Sequence, residues 1–149
     1  MENADIESAT HVPGHAAYAA AHAPKPSERD PELDALVREI IERIADKWTM
    51  LVLEALEEHG KLRFMQLGQR IGGVSQKMLT KTVRQMEADG LVVRTVHPVI
   101  PPRVDYELTE MGRSLGAAFC GVWIWAEQHR KAIADARGAF ARLHAPEAK

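Results

Sequence analysis

The chain has little cysteine: Cys120 is the single one in 149 residues, which excludes an internal disulfide and any multi-cysteine zinc site. It also lacks any apolar run approaching the roughly 18–20 residues that cross a bilayer. The opening MENADIE is acidic where a secretory leader is basic, and the AAYAAAHA segment after it is too short and small-sided to serve as a leader core. A cytoplasmic protein with no membrane partner is the expectation. Glycine-rich phosphate loops, metal-ligand spacings and nucleophile–base pairings are missing too, and His59 follows two glutamates only as a helix-end residue. These absences argue against an enzyme and against a bound metal or cofactor.

The charge that is present is segregated. The net charge is only -2, but residues 28–60 hold ten acidic and four basic side chains, while residues 61–103 hold eight basic and two acidic ones. The middle of the chain therefore carries a local positive field, felt by an anionic partner within a Debye length of roughly 8–10 Å.

Residues 1–30 are rich in alanine and include His11, His15, His22, Pro13, Pro24 and Pro26 without amphipathic periodicity. They read as a disordered or weakly ordered arm whose histidines are solvated rather than metal ligands. Residues 31–137 form the domain. Its first helix runs from Pro31 to Ile44, with Leu33, Leu36, Val37, Ile40, Ile41 and Ile44 at helical spacing and Glu32 and Asp34 at the positive end of the dipole. Asp46 caps a second helix, Lys47 to about Glu58, with Trp48, Leu51, Val52, Ala55 and Leu56 as its apolar stripe and Gly60 at its end. Lys61 to Phe64 is a short strand or an extended connector, and Phe64 to Ile71 is a short helix broken by Gly72 and Gly73.

Ser75 then caps a helix reaching Asp89, in which Leu79, Val83 and Met86 form an apolar stripe opposite Gln76, Lys77, Thr80, Lys81 and Arg84. By itself this pattern fits an ordinary surface helix as well as a DNA-reading one. Its setting separates the two readings. A helix, a glycine-containing turn and a second helix make a helix-turn-helix pattern. After Gly90, two strand-like runs, Leu91–Val96 and Val104–Leu108, flank His97, Pro98, Pro101, Pro102 and Arg103. Prolines cannot donate to a ladder, so they belong to the connection of a β-hairpin. Helix-turn-helix followed by hairpin is a winged helix, and the fold class is mostly α with a small β-hairpin. Arg94, His97 and Arg103 lie on or near the wing.

The last helix begins at Thr109 and reaches about Arg137, leaving 138–149 as a tail. Leu115, Phe119, Val122, Trp125 or Ala126, and Ile133 give it an apolar side that Trp123 and Ile124 widen beyond what one small core needs. A second copy of the chain is the economical cover, with Leu33, Val37, Ile40, Leu115, Phe119, Val122 and Ala126 as interface residues. Trp48, Phe119, Trp123, Trp125 and His129 are candidates for a pocket taking a small aromatic ligand, although an aromatic dimer core is the favoured reading. Cys120 reads as a small buried hydrophobe.

The succession ADKWTMLVLEAL and then LRFMQLGQRIGGVSQKMLTKTVRQMEADGLVVRTVHPVIPPRVDYELTEMGRSL resembles the HxlR family of bacterial winged-helix, MarR-like transcription regulators. The likeness runs from about Leu33 to Trp125 and rests on KWT (47–49), VSQKML (74–79), EADGLV (87–92) and PPRVDYELTE (101–110). It implies a homodimer closed by the N- and C-terminal helices, with residues 75–89 as recognition helix and 94–103 as wing. Many members carry a reactive cysteine just ahead of the first helix; here that region reads SERDPELDALV, so the family's thiol switch is not carried over. The resulting expectation is a regulator, more often a repressor than an activator, on a palindromic operator in double-stranded DNA. Ser75, Gln76, Lys77 and Thr80 would stand at base edges and Arg63, Lys81, Arg84, Arg94 and Arg103 at phosphates. A winged helix used purely for protein contacts is the competing reading; it would not need the basic concentration over 61–103.

Overall fold

A computed structural model of the chain describes residues 24–145; His11, His15 and His22 of the expected arm lie outside them. The chain divides between Leu36 and Val37 into two units. In the first, Pro26–Glu28 forms one 3-10 turn within the span expected as an arm. Asp30 then starts α1 (Pro31–Ile44): its carboxylate accepts a hydrogen bond from Glu32 N at 3.0 Å and its carbonyl one from Asp34 N at 2.9 Å. An acidic cap followed by Glu32 and Asp34 suits the positive end of the helix dipole, which is why the helix begins here.

The second unit contains the remainder of α1, then α2 (Lys47–His59), β1 (Leu62–Arg63), α3 (Phe64–Ile71), α4 (Gln76–Ala88), β2 (Val92–His97), β3 (Arg103–Leu108) and α5 (Glu110–Leu143). The strands form an antiparallel sheet in the order β1-β3-β2. Lys61–Phe64 therefore does contribute a short strand, with Leu62 opposite Tyr106 and Arg63 opposite Asp105. Helix-turn-helix plus wing is the observed architecture.

One core joins these elements. Val52, Leu53 and Leu56 of α2 meet Leu67 of α3, Leu79, Val83 and Met86 of α4, and Leu62, Leu91, Val92, Tyr106 and Leu108 around the sheet. The apolar stripe read in α4 is the one buried, joined by Thr82, whose hydroxyl donates to Met78 O at 2.9 Å and so enters the core satisfied. In α2 the buried set is Thr49, Val52, Leu53, Ala55 and Leu56, while Trp48 and Leu51 are half-buried. This differs from the expected stripe because α2 packs against α3, α4, α5 and β3. A helix enclosed on several sides buries more than one stripe.

Two glycines set the chain path next to α4. Gly90 has φ 74° and ends the helix, with Leu91 N donating to Met86 O at 2.8 Å. Across from it, Thr109 Oγ1 donates to Gly90 O at 2.7 Å and accepts from Gly112 N at 3.0 Å, while Thr109 N donates to Leu91 O at 3.0 Å. Thr109 is thus the N-cap of α5 and a tie to the end of α4 at once. Gly112 lies so close that a Cβ there would collide with the Leu91 carbonyl oxygen.

Only Gly112 and Gly116 of α5 are buried, with Leu115 and Phe119 packed against the core. Beyond Phe119 no residue of the helix is buried, and it continues through 138–143, the first part of the expected tail. Cys120 is exposed rather than buried for the same reason: it sits just where α5 parts from the core. No helix of the described residues is long and apolar enough to cross a membrane.

Gly112→Ala forces the Leu91 backbone aside and is expected to lower stability by about 1–3 kcal/mol or more. Urea unfolding followed by circular dichroism measures this, and an unchanged midpoint would show that the α4–α5 junction is not tight.

Candidate nucleic-acid interface

The face of α4 turned away from the core begins at a well-formed cap. Ser75 Oγ accepts from Met78 N at 3.1 Å, leaving the other amides of the first turn directed outward, where an anion is favoured. Gln76, Lys77, Lys81 and Arg84 are exposed. Ser75, Lys77, Thr80, Lys81 and Arg84 line one shallow surface groove together with Met78. Thr80 is half-buried, and its hydroxyl hydrogen is engaged by Gln76 O at 2.8 Å, so towards a ligand it offers acceptor lone pairs and a methyl group.

The remaining expected contacts lie on the sheet. Arg94 is exposed on β2, and Arg63 is exposed at the start of α3, where its backbone N–H donates to Gln66 Oε1 at 3.0 Å. His97 and Arg103 are held in a different way from Arg94. They face each other across the hairpin and converge on Asp105, with His97 Nε2 2.8 Å and Arg103 Nη2 3.1 Å from Asp105 Oδ2. The His97–Arg103 separation is longer, 3.5 Å. Nε2 cannot donate to the carboxylate and accept from the guanidinium with the same position, and the shorter contact decides that it donates to Asp105.

Asp105 is 4% exposed. Burial works against its ionisation and is the largest single influence. Hydrogen bonds from His97 and Arg103, with the charge of the guanidinium, outweigh it and hold the carboxyl below its ordinary value of 3.8. The cationic wing is thus partly neutralised at its base, and what it gains is order. Sequence reasoning missed Asp105. The available signal was an acid two residues after Arg103, the residue that the hairpin sets opposite His97.

A second contact missed in the sequence ties α1 to α4: Arg43 lies 2.7 Å from Asp89 at the C-terminus of α4 and 2.8 Å from Glu39.

The five residues proposed for one aromatic pocket are not gathered in the single chain. Phe119 and Trp123 line a largely apolar cleft of about 200 Å³ between α2 and α5, with Leu53, Val122, Glu54 and Glu57 among its walls. Trp48 lines a separate cleft with Arg43, Met78 and Lys81. Trp125 stacks on His129 at 4.6 Å on the exposed side of α5. The reason is helical: Trp123 and Trp125 are two residues apart, about 200° around the axis, and cannot share a wall. Of the expected interface residues, Val37, Ile40, Val122 and Ala126 are exposed, as is Leu33 in the first unit, whereas Leu115 and Phe119 pack on the chain's own core. No group of three or more potential metal ligands occurs among the described residues.

Because the folded-state value of Asp105 is depressed, its contribution to stability is complete above the unfolded value and is lost as pH falls through the folded one. Asp105→Asn should therefore be less stable than the wild type at neutral pH, with the gap closing progressively below about pH 4. Denaturant titrations across that range test it; a gap independent of pH would remove the ionised carboxylate from the wing's stability.

A family model described as HxlR-like helix-turn-helix matches residues 43–134. A curated relative, an HTH-type transcriptional regulator of Methanothermobacter thermautotrophicus, is 36% identical over 118 residues, covering 79% of this chain and 86% of its own. Among solved structures, the transcriptional regulator YtfH from Salmonella typhimurium is 33% identical with a TM-score of 0.60, covering 68% of this chain and 90% of its own. A MarR-family regulator from Enterococcus faecalis V583 is 29% identical with a TM-score of 0.62, covering 75% and 99%.

Proposed function

The chain belongs to the HxlR-like helix-turn-helix family of DNA-binding transcriptional regulators, and from that premise we propose that it works as a homodimeric repressor on a palindromic operator. The observation that carries this reading is the division of α4 into a buried stripe of Leu79, Val83 and Met86 and an outward face with Gln76, Lys77, Lys81 and Arg84, beside the wing. A helix of this form fits the major groove. Ser75, Gln76, Lys77 and Thr80, at its N-terminal half, read base edges; Gln76 suits adenine and Lys77 suits guanine. Arg63, Lys81, Arg84 and Arg94 hold phosphates and set register. Arg103 and His97 act at the wing with their positions fixed by Asp105.

The dimer is supported by the apolar surface left open on two helices: Ile40 and Ile41 of α1, and Val122, Trp123, Ile124 and Trp125 of α5, are all exposed in the single chain. A twofold dimer places its recognition helices in successive major grooves, roughly 34–36 Å apart. The family thiol position holds no cysteine, and the signal we infer is a non-covalent ligand. The cleft lined by Phe119 and Trp123 is the place for a small aromatic compound.

Fluorescence anisotropy across a salt series tests the DNA reading. Lys81→Ala and Arg84→Ala are each expected to weaken binding and to reduce the magnitude of the log K against log salt slope by about 0.9. An unchanged slope in both variants rejects the phosphate roles. Quenching or shift of tryptophan emission by a planar aromatic compound, lost in Trp123→Phe, checks the cleft; a flat response across a broad panel counts against it.

A further inference from the structure

The outermost point of the wing is apolar, although a backbone-holding wing calls for cations there. The connection between β2 and β3 reads Pro98-Val99-Ile100-Pro101-Pro102 and carries no charged side chain. Ile100 is fully exposed at 101%, and Val99 is 52% exposed. The three flanking prolines are exposed as well. The cations of the wing stand further back, Arg94 on β2 and Arg103 at the start of β3.

Such a tip is stiff and cannot bind by hydrogen bonding through its side chains. Proline rings fix φ and supply no N–H. Val99 N is turned back onto His97 O at 2.9 Å. Isoleucine, β-branched, has few rotamers to lose. Below the tip, Asp105 ties β3 to β2 through His97 and braces Arg103 of its own strand. A rigid, uncharged, branched side chain ahead of cations on both strands, Arg94 and Arg103, matches the apolar wedges that enter a minor groove and part a base step.

We propose that Ile100, supported by Val99 and the flanking prolines, is a wedge that enters the DNA minor groove beside the helix α4 contact and bends the duplex there. The inference rests on the DNA-binding reading and adds to it a residue and a deformation. Specificity at the wing then comes from deformability: pyrimidine–purine steps such as TA and CA, which unstack most readily, are preferred at the wedge although no side chain there reads a base edge. Arg94 and Arg103 supply the attraction that seats the tip.

The experiment uses the full chain and a duplex selected by the wild-type protein from a randomised library. Affinity is read by anisotropy and bending by end-to-end energy transfer, for the wild type, Ile100→Ala and Ile100→Lys. The side chain touches nothing in the fold, so thermal melts of the three should coincide and confirm that all are folded. The wild type is expected to bend the duplex by roughly 20–90°. Ile100→Ala should bind about tenfold more weakly (~1.4 kcal/mol) and bend less. Ile100→Lys, which adds phosphate attraction, should recover affinity without recovering the bend. Binding of a straight duplex by the wild type, or equal affinity and bending in all three, overturns the wedge while leaving the DNA reading in place. Absence of binding to any selected duplex overturns both.

Discussion

The arrangement depends on one close approach, that of the first turn of α5 to the residues leaving α4. Gly112 lies against the Leu91 carbonyl with no room for a Cβ, and Thr109 bonds in three directions, to Gly90 O, Leu91 O and Gly112 N. Both chain segments that leave this point lead to surfaces with a proposed role: β2 begins the wing, and α5 runs out to its exposed apolar side. Fixing Leu91 against Gly112 therefore fixes where the wing starts relative to the outward face of α4. A recognition surface made of two separate elements needs such a joint, because an error of about 1 Å at the base grows along the hairpin.

The electrostatics follow the same division between anchoring and presentation. On α4 the cations are presented: Lys77, Lys81 and Arg84 are exposed beside a helix N-terminus. On the wing, Arg103 and His97 are anchored by a carboxylate that stays ionised because the two donors outweigh its burial. Part of the wing's positive charge is cancelled in exchange for a defined strand pairing, and the tip beyond it is left uncharged. In the proposed DNA contact the two halves take different tasks, the helix charge and hydrogen bonding, the hairpin shape.

Helices α1 and α5 pose the opposite problem, apolar surface without cover. Ile41 is 55% exposed and Trp123 63%, and neither helix segment could hold that surface in water at no cost. The proposed homodimer answers this with the same residues that would set the spacing between two recognition helices. Arg43, which joins α1 to Asp89 at the end of α4, is where those two roles touch within one chain.

The helix-turn-helix, the wing and the family were legible in the linear chain because each depends on local signals: the Leu79, Val83, Met86 period, the glycines at 72, 73 and 90, the cap at Ser75, and prolines that a strand cannot contain. The start of α1, with Glu32 and Asp34 in its first turn, and the stripe of α4 are read from neighbours in sequence, and neighbours in sequence decide them. What depended on distant partners was hidden. Which residues of α2 turn inward was settled by four packed elements, not by its own period; Cys120 is exposed because α5 departs from the core at that point; and the aromatic residues that composition groups together are dispersed by helical geometry. Asp105 is the sharpest case. In the sequence it is one acid among many, and only the antiparallel register, bringing residues 97, 103 and 105 to one side of the sheet, makes it the anchor of the wing.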